Sequence, residues 1–321
     1  MNNMIEKRER ELYNYVALQR PEIQKIGTLG CDIVETTPIV FKDVLYRFEY
    51  VRSCWQNESN DKNETYFHFI DVKTNRTTAP FAFNYHFGSA YTDGEYMYAI
   101  GIRNHSSHEL GWGDSFVQIF RSVDLKSWEE YGQISLPDDM GAYNTGVCKQ
   151  NDVYTMLIEV DKPMNFCFRF AQSKDMKNWT LLDENYRFHE EPRYAGGPAI
   201  YTVDDDPHYY VFYLEEYPGP CYATCIARSK DLKKWTYSPI NPVLMFEEKA
   251  DKKIANPFLT EHEIARIARA MDINNSDLEL CEFHGRTIMY YSWGNQLGIE
   301  FLAEAAFEGT VKELLQSFFK N

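Results

Sequence analysis

Four things are scarce in this chain of 321 residues. The first is a long apolar run: none approaches the roughly 20 residues that cross a bilayer as a helix. Residues 1–20, MNNMIEKRERELYNYVALQR, are charged throughout and lack an apolar signal core. Their Ile5, Leu12, Val16 and Leu18 suit a short N-terminal surface helix. The second is positive charge, with 33 Lys and Arg against 48 Asp and Glu, a net charge of −15. Such a surface repels phosphate backbones and anionic lipid, so neither nucleic acid nor a membrane is expected as a partner. The third is a cysteine framework. Seven Cys are scattered at 31, 54, 148, 167, 221, 225 and 281, several inside apolar runs. They read as reduced thiols in a cytoplasmic protein. The fourth is a cofactor motif. There is no Gly-x-Ser-x-Gly elbow and no Gly-rich phosphate cradle. His105-x-x-His108 and Cys221-x-x-x-Cys225 lack the second pair that would complete a tetrahedral metal site. The sequence therefore calls for no cofactor. A Ca²⁺ ion would find oxygen ligands among the acids, but no spacing specifies one.

What is abundant is aromatic: 23 Tyr, 21 Phe and 6 Trp, 16% of the chain. Flat rings suit pleated β-surfaces. They also suit the faces of sugar rings.

The chain repeats itself. RSVDLKSW ends at Trp128, AQSKDMKNW at Trp179 and ARSKDLKKW at Trp235, spacings of 51 and 56. A weaker copy, FIDVKTNRT, places Asp71 53 residues before Asp124. Upstream of these copies runs a second signature: an apolar strand, a polar turn, then an aromatic strand. It occurs at 36–51, 88–102, 144–160, 197–217 and 276–293. The turns are Lys42-Asp43, Asp93-Gly94, Asn151-Asp152, Asp204–Pro207 and His284-Gly285, each a hairpin signal. Four strands per unit at this period read as propeller blades. The expectation is an all-β, five-bladed β-propeller in a single domain over 1–321, with blades at about 35–308. The interval 241–272 carries an insertion with a helix over 261–271, N-capped by Thr260 with Glu263 at capping-box spacing. The last blade is expected to lose its fourth strand to a C-terminal helix, 311–319. In the Ser-x-Asp-Leu/Met-Lys-x-Trp motif, Ser and Asp close a turn, Leu or Met fills the gap between blades, and Trp wedges against the next sheet. The motif specifies architecture, not chemistry.

A propeller nominates its own site. Starts of first strands and ends of second strands face one mouth of the central channel. Acids at such positions are Glu35 and Asp277 (starts) and Glu49, Glu159, Asp161, Glu215 and Glu216 (ends). Taken singly, Glu49 or Asp161 reads equally well as a loop carboxylate, and Glu215 and Glu216 must point to opposite faces. Taken together, they form a cluster in which like charges raise the pKa of at least one member. A proton donor then stands beside an ionised acceptor, the arrangement acid–base hydrolysis needs. Also at this mouth stand Arg52, His86, Arg103, Asn104, Tyr143, Asn144, Arg193, Asn274, Asn275, Trp293 and Asn295. Their amides and guanidiniums suit hydroxyl groups, and Tyr143 and Trp293 suit a sugar ring or the core.

Five units with Ser-x-Asp-Leu-x-x-Trp turns resemble the five-bladed propeller glycoside hydrolases: family 43, its furanosidase relatives and, more distantly, families 117 and 130. The resemblance covers about 35–308. It implies hydrolysis of glycosidic bonds in short oligosaccharides of arabinose, xylose or galactose type, furanoside or pyranoside, commonly with inversion. In family 43 a blade-1 acid is the base, a blade-3 acid tunes it, and a blade-4 Glu in Glu-Gly-Pro is the proton donor. Glu35 matches the blade-1 position. Blade 4 reads Gly196-Gly197-Pro198 instead, and blade 3 starts Tyr143-Asn144-Thr145, without its acid. This departure suggests relocated carboxylates. The catalytic candidates are Glu35 as base and Glu215 as acid, with Glu159 and Asp277 orienting substrate or tuning pKa, roles that could be exchanged among the four. The binding candidates are Arg52, His86, Arg103, Tyr143, Asn144, Arg193, Asn275 and Trp293. The alternatives are a glycoside phosphorylase, with Arg52, Arg103 and Arg193 on phosphate, and a non-catalytic sugar-binding propeller. Residues 1–20 and 241–272 are long enough to cover a neighbouring subunit, so a homo-oligomer is compatible with the sequence.

Overall fold

The computed structural model describes residues 11, 15, 18–52, 65–103, 114–137, 139–163, 166–188, 194–219 and 221–320. Among them the chain is mostly β, in several antiparallel sheets of propeller-like arrangement. Unit I is Thr36–Phe41, Val44–Arg52, Thr65–Asp71 and Arg76–Thr77. Unit II is Tyr85–Thr92, Met97–Arg103, Phe116–Ser122 and Glu129–Ser135. Unit III is Ala142–Gln150, Val153–Val160, Cys167–Ser173 and Trp179–Leu181, with Arg187–Phe188 on its third strand. Unit IV is Ala195–Tyr201, Tyr209–Tyr217, Cys221–Ser229 and Trp235–Tyr237. Unit V starts with Asn274–Phe283, Arg286–Gly294 and Glu300–Phe307. A parallel bridge, Tyr222 to Asn274, joins units IV and V into one eight-stranded sheet.

The hairpins form where local chemistry asks for them. Lys42-Asp43 (φ 52°, 63°), Asn151-Asp152 (φ 48°, 60°) and His284-Gly285 (φ 52°, 73°) have the paired positive φ of type I′ turns. The Ser-x-Asp motif is a turn in all three copies. Asp124, Asp175 and Asp231 each accept two backbone N–H groups from the residues two and three further on, and a hydroxyl proton from Ser122, Ser173 or Ser229. Leu125, Met176 and Leu232 follow with φ near 60° and are buried. The Trp packs on the preceding unit rather than the next. Trp128 of unit II lies parallel to Phe81, centroids 3.9 Å apart, and Trp235 of unit IV stacks on Phe170 of unit III.

Each pair of neighbouring units shares a buried core. Phe48 and Phe67 meet Met97 and Phe120, Ile100 and Val117 meet Met156 and Ile158, and Phe168 and Phe170 meet Val211 and Tyr213. Phe212 meets Met289 and Tyr291, and Ile288 and Tyr290 meet Leu45. The first strands are neighbours in order I, II, III, IV and V, and that of V packs beside that of I.

The last unit differs from expectation. Its fourth strand is Gln24–Cys31, which pairs antiparallel with Glu300–Phe307 from Gln24–Ala306 to Cys31–Phe301. Register shifts at Gly27 and Gly30 break the alternation that would have marked this strand. The C-terminal helix exists as well, at Val311–Ser317, capped by Thr310 and Glu313, with Leu314 and Leu315 in the core between units IV and V. The insertion holds a short helix, Glu248–Asp251, and a second, Glu261–Arg269, with the expected Thr260–Glu263 capping box. The expected N-terminal helix falls almost wholly outside the described residues; Glu11 and Tyr15 are helical. No helix among the described residues is long and apolar enough to cross a membrane.

Candidate active site

The first strands of units II to V share a defect. Pairing with the second strand slips between His86 and Ser89, Ala142 and Thr145, Gly196 and Ala199, and Ser276 and Glu279. Each slip leaves two residues outside the ladder at the same place in the repeat. Such bulges re-aim side chains. Phe87, Gly197 and Asp277 there have φ near +50°. Bulge residues of all four units, Gly88, Asn144, Gly197, Pro198 and Asp277, line a small void together with Thr145 and with Glu35 from the segment before unit I. The void measures about 10 Å³, the room one water needs. Glu279 lines it too and also lines a wider cavity of about 370 Å³ among all five first strands.

Three of the four catalytic candidates meet here. The Glu159 carboxyl, from the second strand of unit III, accepts from Asn144 Nδ2 and from the Gly197 N–H, both at 3.0 Å. A Cβ on Gly197 would lie 2.4 Å from Asp277 Oδ1. Bonds of about 1.5 Å separate N, Cα and that Cβ, so the Glu159 and Asp277 oxygens are at most roughly 8.4 Å apart. A Cβ on Gly196 would lie 3.1 Å from Glu159 Oε1. Gly197, with φ +53°, is therefore a requirement, since the Asp277 carboxyl occupies the space its side chain would take, and Gly196 lies close against Glu159 and Tyr194. Glu35 Oε2 is buried without a hydrogen-bond partner among the described residues.

Ionisation follows from the crowding. Burial pushes Glu159 up to about 8, and the charges of Asp277 and Glu35 add to it against the Asn144 hydrogen bond. Burial raises Glu35 to about 7, with Arg52 pulling it down and Asp277 pushing it up. Glu279 and Glu300 rise to about 8, again by burial first and with Asp277 adding. Asp277 and Glu279 keep some surface open to the central void, yet burial dominates them too. Burial raises Asp277, opposed by a 2.5 Å hydrogen bond from Ser276 Oγ. The Asp277 charge thus bears on four other carboxyls.

The remaining candidates separate. Glu215 is buried elsewhere: it pairs across the strand with Ala195, lies 3.7 Å from Cys225 Sγ, and acts on Tyr213 and Tyr217. Period-2 alternation turns it into the core between units III and IV. Trp293 is wholly buried, stacks on Phe301 and donates to Thr28 Oγ1, so its ring is closed to a ligand. Asn275 points away from Asp277, into a buried cluster with Lys25 and Asp251. Glu49 is held below the usual carboxylate range by Arg47 and His68 in spite of burial. Arg52 lies over the Tyr50 ring and its charge bears on Glu35, and the Tyr50 hydroxyl is hydrogen-bonded to His86 Nδ1. Tyr143 packs edge-on to Phe87 and Phe166, its buried hydroxyl without a hydrogen-bond partner among the described residues. Arg103 is exposed at a strand end, and Asn104 and Arg193 lie outside the described residues.

A solved structure described as a glycoside hydrolase matches 93% of this chain and 94% of its own, with a TM-score of 0.62 at 15% identity. The Bombyx mori family 32 β-fructofuranosidase BmSUC1 matches 94% of this chain and 66% of its own, TM-score 0.55 at 10% identity. An exo-1,5-α-L-arabinanase from a bovine ruminal metagenomic library matches 87% and 93%, TM-score 0.54 at 10% identity. The fold is that of the propeller glycoside hydrolases. No protein-family model and no curated protein matches the sequence.

At these identities the likeness is one of fold, and the site has to be read from its own groups. Sequence reasoning missed Glu279, Glu300 and Ser276, and placed Asn274 at the mouth without its link to Ser276. Glu300 opens the third strand of unit V opposite Gly294, a position that shares the mouth with the end of a second strand. Extending the geometric rule to third strands would have found it. Among the described residues, no trio of His, Cys, Asp or Glu is placed to hold a metal ion.

Proposed function

We propose that this chain is a closed five-bladed propeller that hydrolyses a glycosidic bond in a short oligosaccharide, with Glu159 as proton donor and Glu35 as base. The observation that carries the reading is the meeting of Glu35, Glu159 and Asp277, from three different units, around Gly197. In this scheme Glu159 gives its proton to the glycosidic oxygen as the bond from that oxygen to the anomeric carbon breaks. Glu35 takes a proton from the water that attacks that carbon, and a base acting through water gives inversion. Asp277 repels both groups' ionisation and so sets their working range. Glu159 takes the role that sequence reasoning offered to Glu215. Two carboxyls at one point favour hydrolysis over phosphorolysis, which needs one acid and cations.

A panel of furanosides and pyranosides tests this. Glu35→Gln and Glu159→Gln should each lower kcat/KM by roughly 10²–10⁴-fold, while Glu215→Gln keeps most of the activity. Glu159→Gln should harm an alkyl glycoside more than a nitrophenyl glycoside, whose leaving group needs little protonation. The rate should peak between the two carboxyls: it rises as Glu35 ionises near 7 and falls as Glu159 ionises near 8. Unchanged activity in both variants, or hydrolysis nowhere in the panel, sinks the proposal.

A further inference from the structure

Asp277 is a carboxyl among four others, and burial works against its charged form. The groups facing it are Glu35 of unit I, Glu159 of unit III, Tyr194 ahead of unit IV, and Glu279 and Glu300 of unit V. The cation of the cluster, Arg52, bears on Glu35 and Glu300; the contact that favours the charged form of Asp277 itself is a hydrogen bond.

That contact comes from the adjacent residue. Ser276 Oγ lies 2.5 Å from Asp277 Oδ2. A hydroxyl has one proton and two acceptor lone pairs, so its direction is settled by its other partner. Here the other partner is a donor: Asn274 Nδ2 lies 3.0 Å from Ser276 Oγ. Asn274 Nδ2 can only donate, so the Ser276 proton is not spent on it and is given to Asp277 Oδ2. Asn274 is held in turn. Its Nδ2 also donates to Glu300 Oε2 at 3.2 Å, and Ser292 Oγ donates to the same oxygen. All of Asn274, Ser276, Ser292 and Glu300 are buried. The bulge after Ser276, with Asp277 at φ 50°, brings neighbouring residues of one strand onto the same oxygen network; in a regular strand they would point apart.

We propose that Asn274 and Ser276 are a positioning pair: Asn274 fixes the direction of the Ser276 hydroxyl, and that hydroxyl holds Asp277 as an acceptor facing the Glu35–Glu159 site. The proposal rests on the glycosidase reading only for its kinetic consequence. A donated proton favours the charged form of a carboxyl. An ionised Asp277 raises Glu35 and Glu159; a neutral one releases them. Loss of the pair should therefore move Asp277 up and both limbs of the pH–rate profile down, a pattern that mere loosening of the fold does not produce.

The test follows Asp277 by ¹³C-carboxyl NMR titration of the full chain, alongside the pH–rate profile and thermal unfolding. Ser276→Ala should raise the Asp277 midpoint by about one unit or more and shift both rate limbs to lower pH. Asn274→Leu keeps the serine but frees its hydroxyl, and should give a smaller shift in the same direction. Ser276→Thr keeps the donor and should restore the wild-type profile. Should Ser276→Ala fail to fold, Ser276→Cys, a weak donor, replaces it with the same expected direction. An Asp277 midpoint unmoved in Ser276→Ala overturns the proposal. So does a shift in that variant with none in Asn274→Leu, since Asn274 would then set nothing. If the wild type hydrolyses no glycoside, the glycosidase reading falls, and the NMR titration still decides the fate of the pair.

Discussion

The strand Gln24–Cys31, far in sequence from the strand it pairs with, is tied in place by one buried cation, and removing that cation should be costly. Lys25 Nζ lies 2.8 and 2.9 Å from the two Asp251 carboxylate oxygens, 2.7 Å from Asn275 Oδ1 and 2.6 Å from the Met245 carbonyl. Its side chain is 6% exposed and that of Asp251 is 0% exposed. Lys25→Met keeps the apolar stem and deletes the charge. Asp251 then remains buried with Tyr291, Asn275 and the Glu247 N–H but no cation. Breaking a buried pair by removing one partner costs about 3–5 kcal/mol, a large share of a typical stability of about 5–15 kcal/mol. At roughly 2–4 °C per kcal/mol for a large domain, Tm should fall by about 6–20 °C. Thermal and urea unfolding measure the loss. A Lys25→Met/Asp251→Leu double variant should recover part of it, because no buried charge is left unpaired. A fall below about 2 °C in Lys25→Met, or strictly additive losses in the double variant, would refute the view that this pair clasps the strand.

Two further outcomes are expected. Glu159, Glu279, Glu300 and Asp272, at about 8, and Glu35, at about 7, keep protons in the folded chain that the unfolded chain releases near pH 4–4.5. The folded state then binds more protons, so stability should be greatest near the unfolded values and fall as pH rises to about 8; a Tm that stays flat or climbs between pH 5 and 8 contradicts this. Gly197→Ala sets a Cβ 2.4 Å from Asp277 Oδ1 on a residue with φ +53°, and should cost about 1–3 kcal/mol together with most of the activity. An active and equally stable Gly197→Ala would mean that Asp277 does not lie against this backbone.

The parts of this molecule legible in its sequence are those fixed by near neighbours. Ser122, Asp124 and Leu125 make their turn with backbone groups two and three residues away, so three copies of the motif could be read as one structure. The same holds for Lys42-Asp43 and for the Thr260–Glu263 cap. The first two strands of each unit were visible as an apolar run, a polar turn and an aromatic run. The strand Gln24–Cys31 was not, because two bulges scramble its alternation and its partner lies over 270 residues onward. The site was half legible for a related reason. The mouth rule assumes regular strands, and it found Glu35 and Glu159, which lie at unbroken positions. It misjudged Glu215, where alternation decides between pocket and core, and it could not see that a bulge turns Asp277 toward Glu159.

The missing blade-4 acid becomes intelligible on the same grounds. Where the resembling family carries Glu-Gly-Pro, this chain has Gly196, and the space ahead of its Cα is filled by the Tyr194 hydroxyl and by Glu159 Oε1. A side chain at 196 and the carboxyl from position 159 would crowd one volume, and the carboxyl would have to give way. Glu159 reaches that volume from the second strand of the neighbouring unit, and the bulge at 196–199 turns the Gly197 N–H onto it as a donor. A carboxyl therefore does occupy this place, supplied from one sheet over, and it is the donor of the proposed mechanism. Its protonation is set by burial and by Asp277, not by the strand that carries it. A reading confined to the motif position would class the chain as inactive. Once the volumes are counted, Gly197 is what allows the Glu159 and Asp277 oxygens to stand within roughly 8.4 Å of each other.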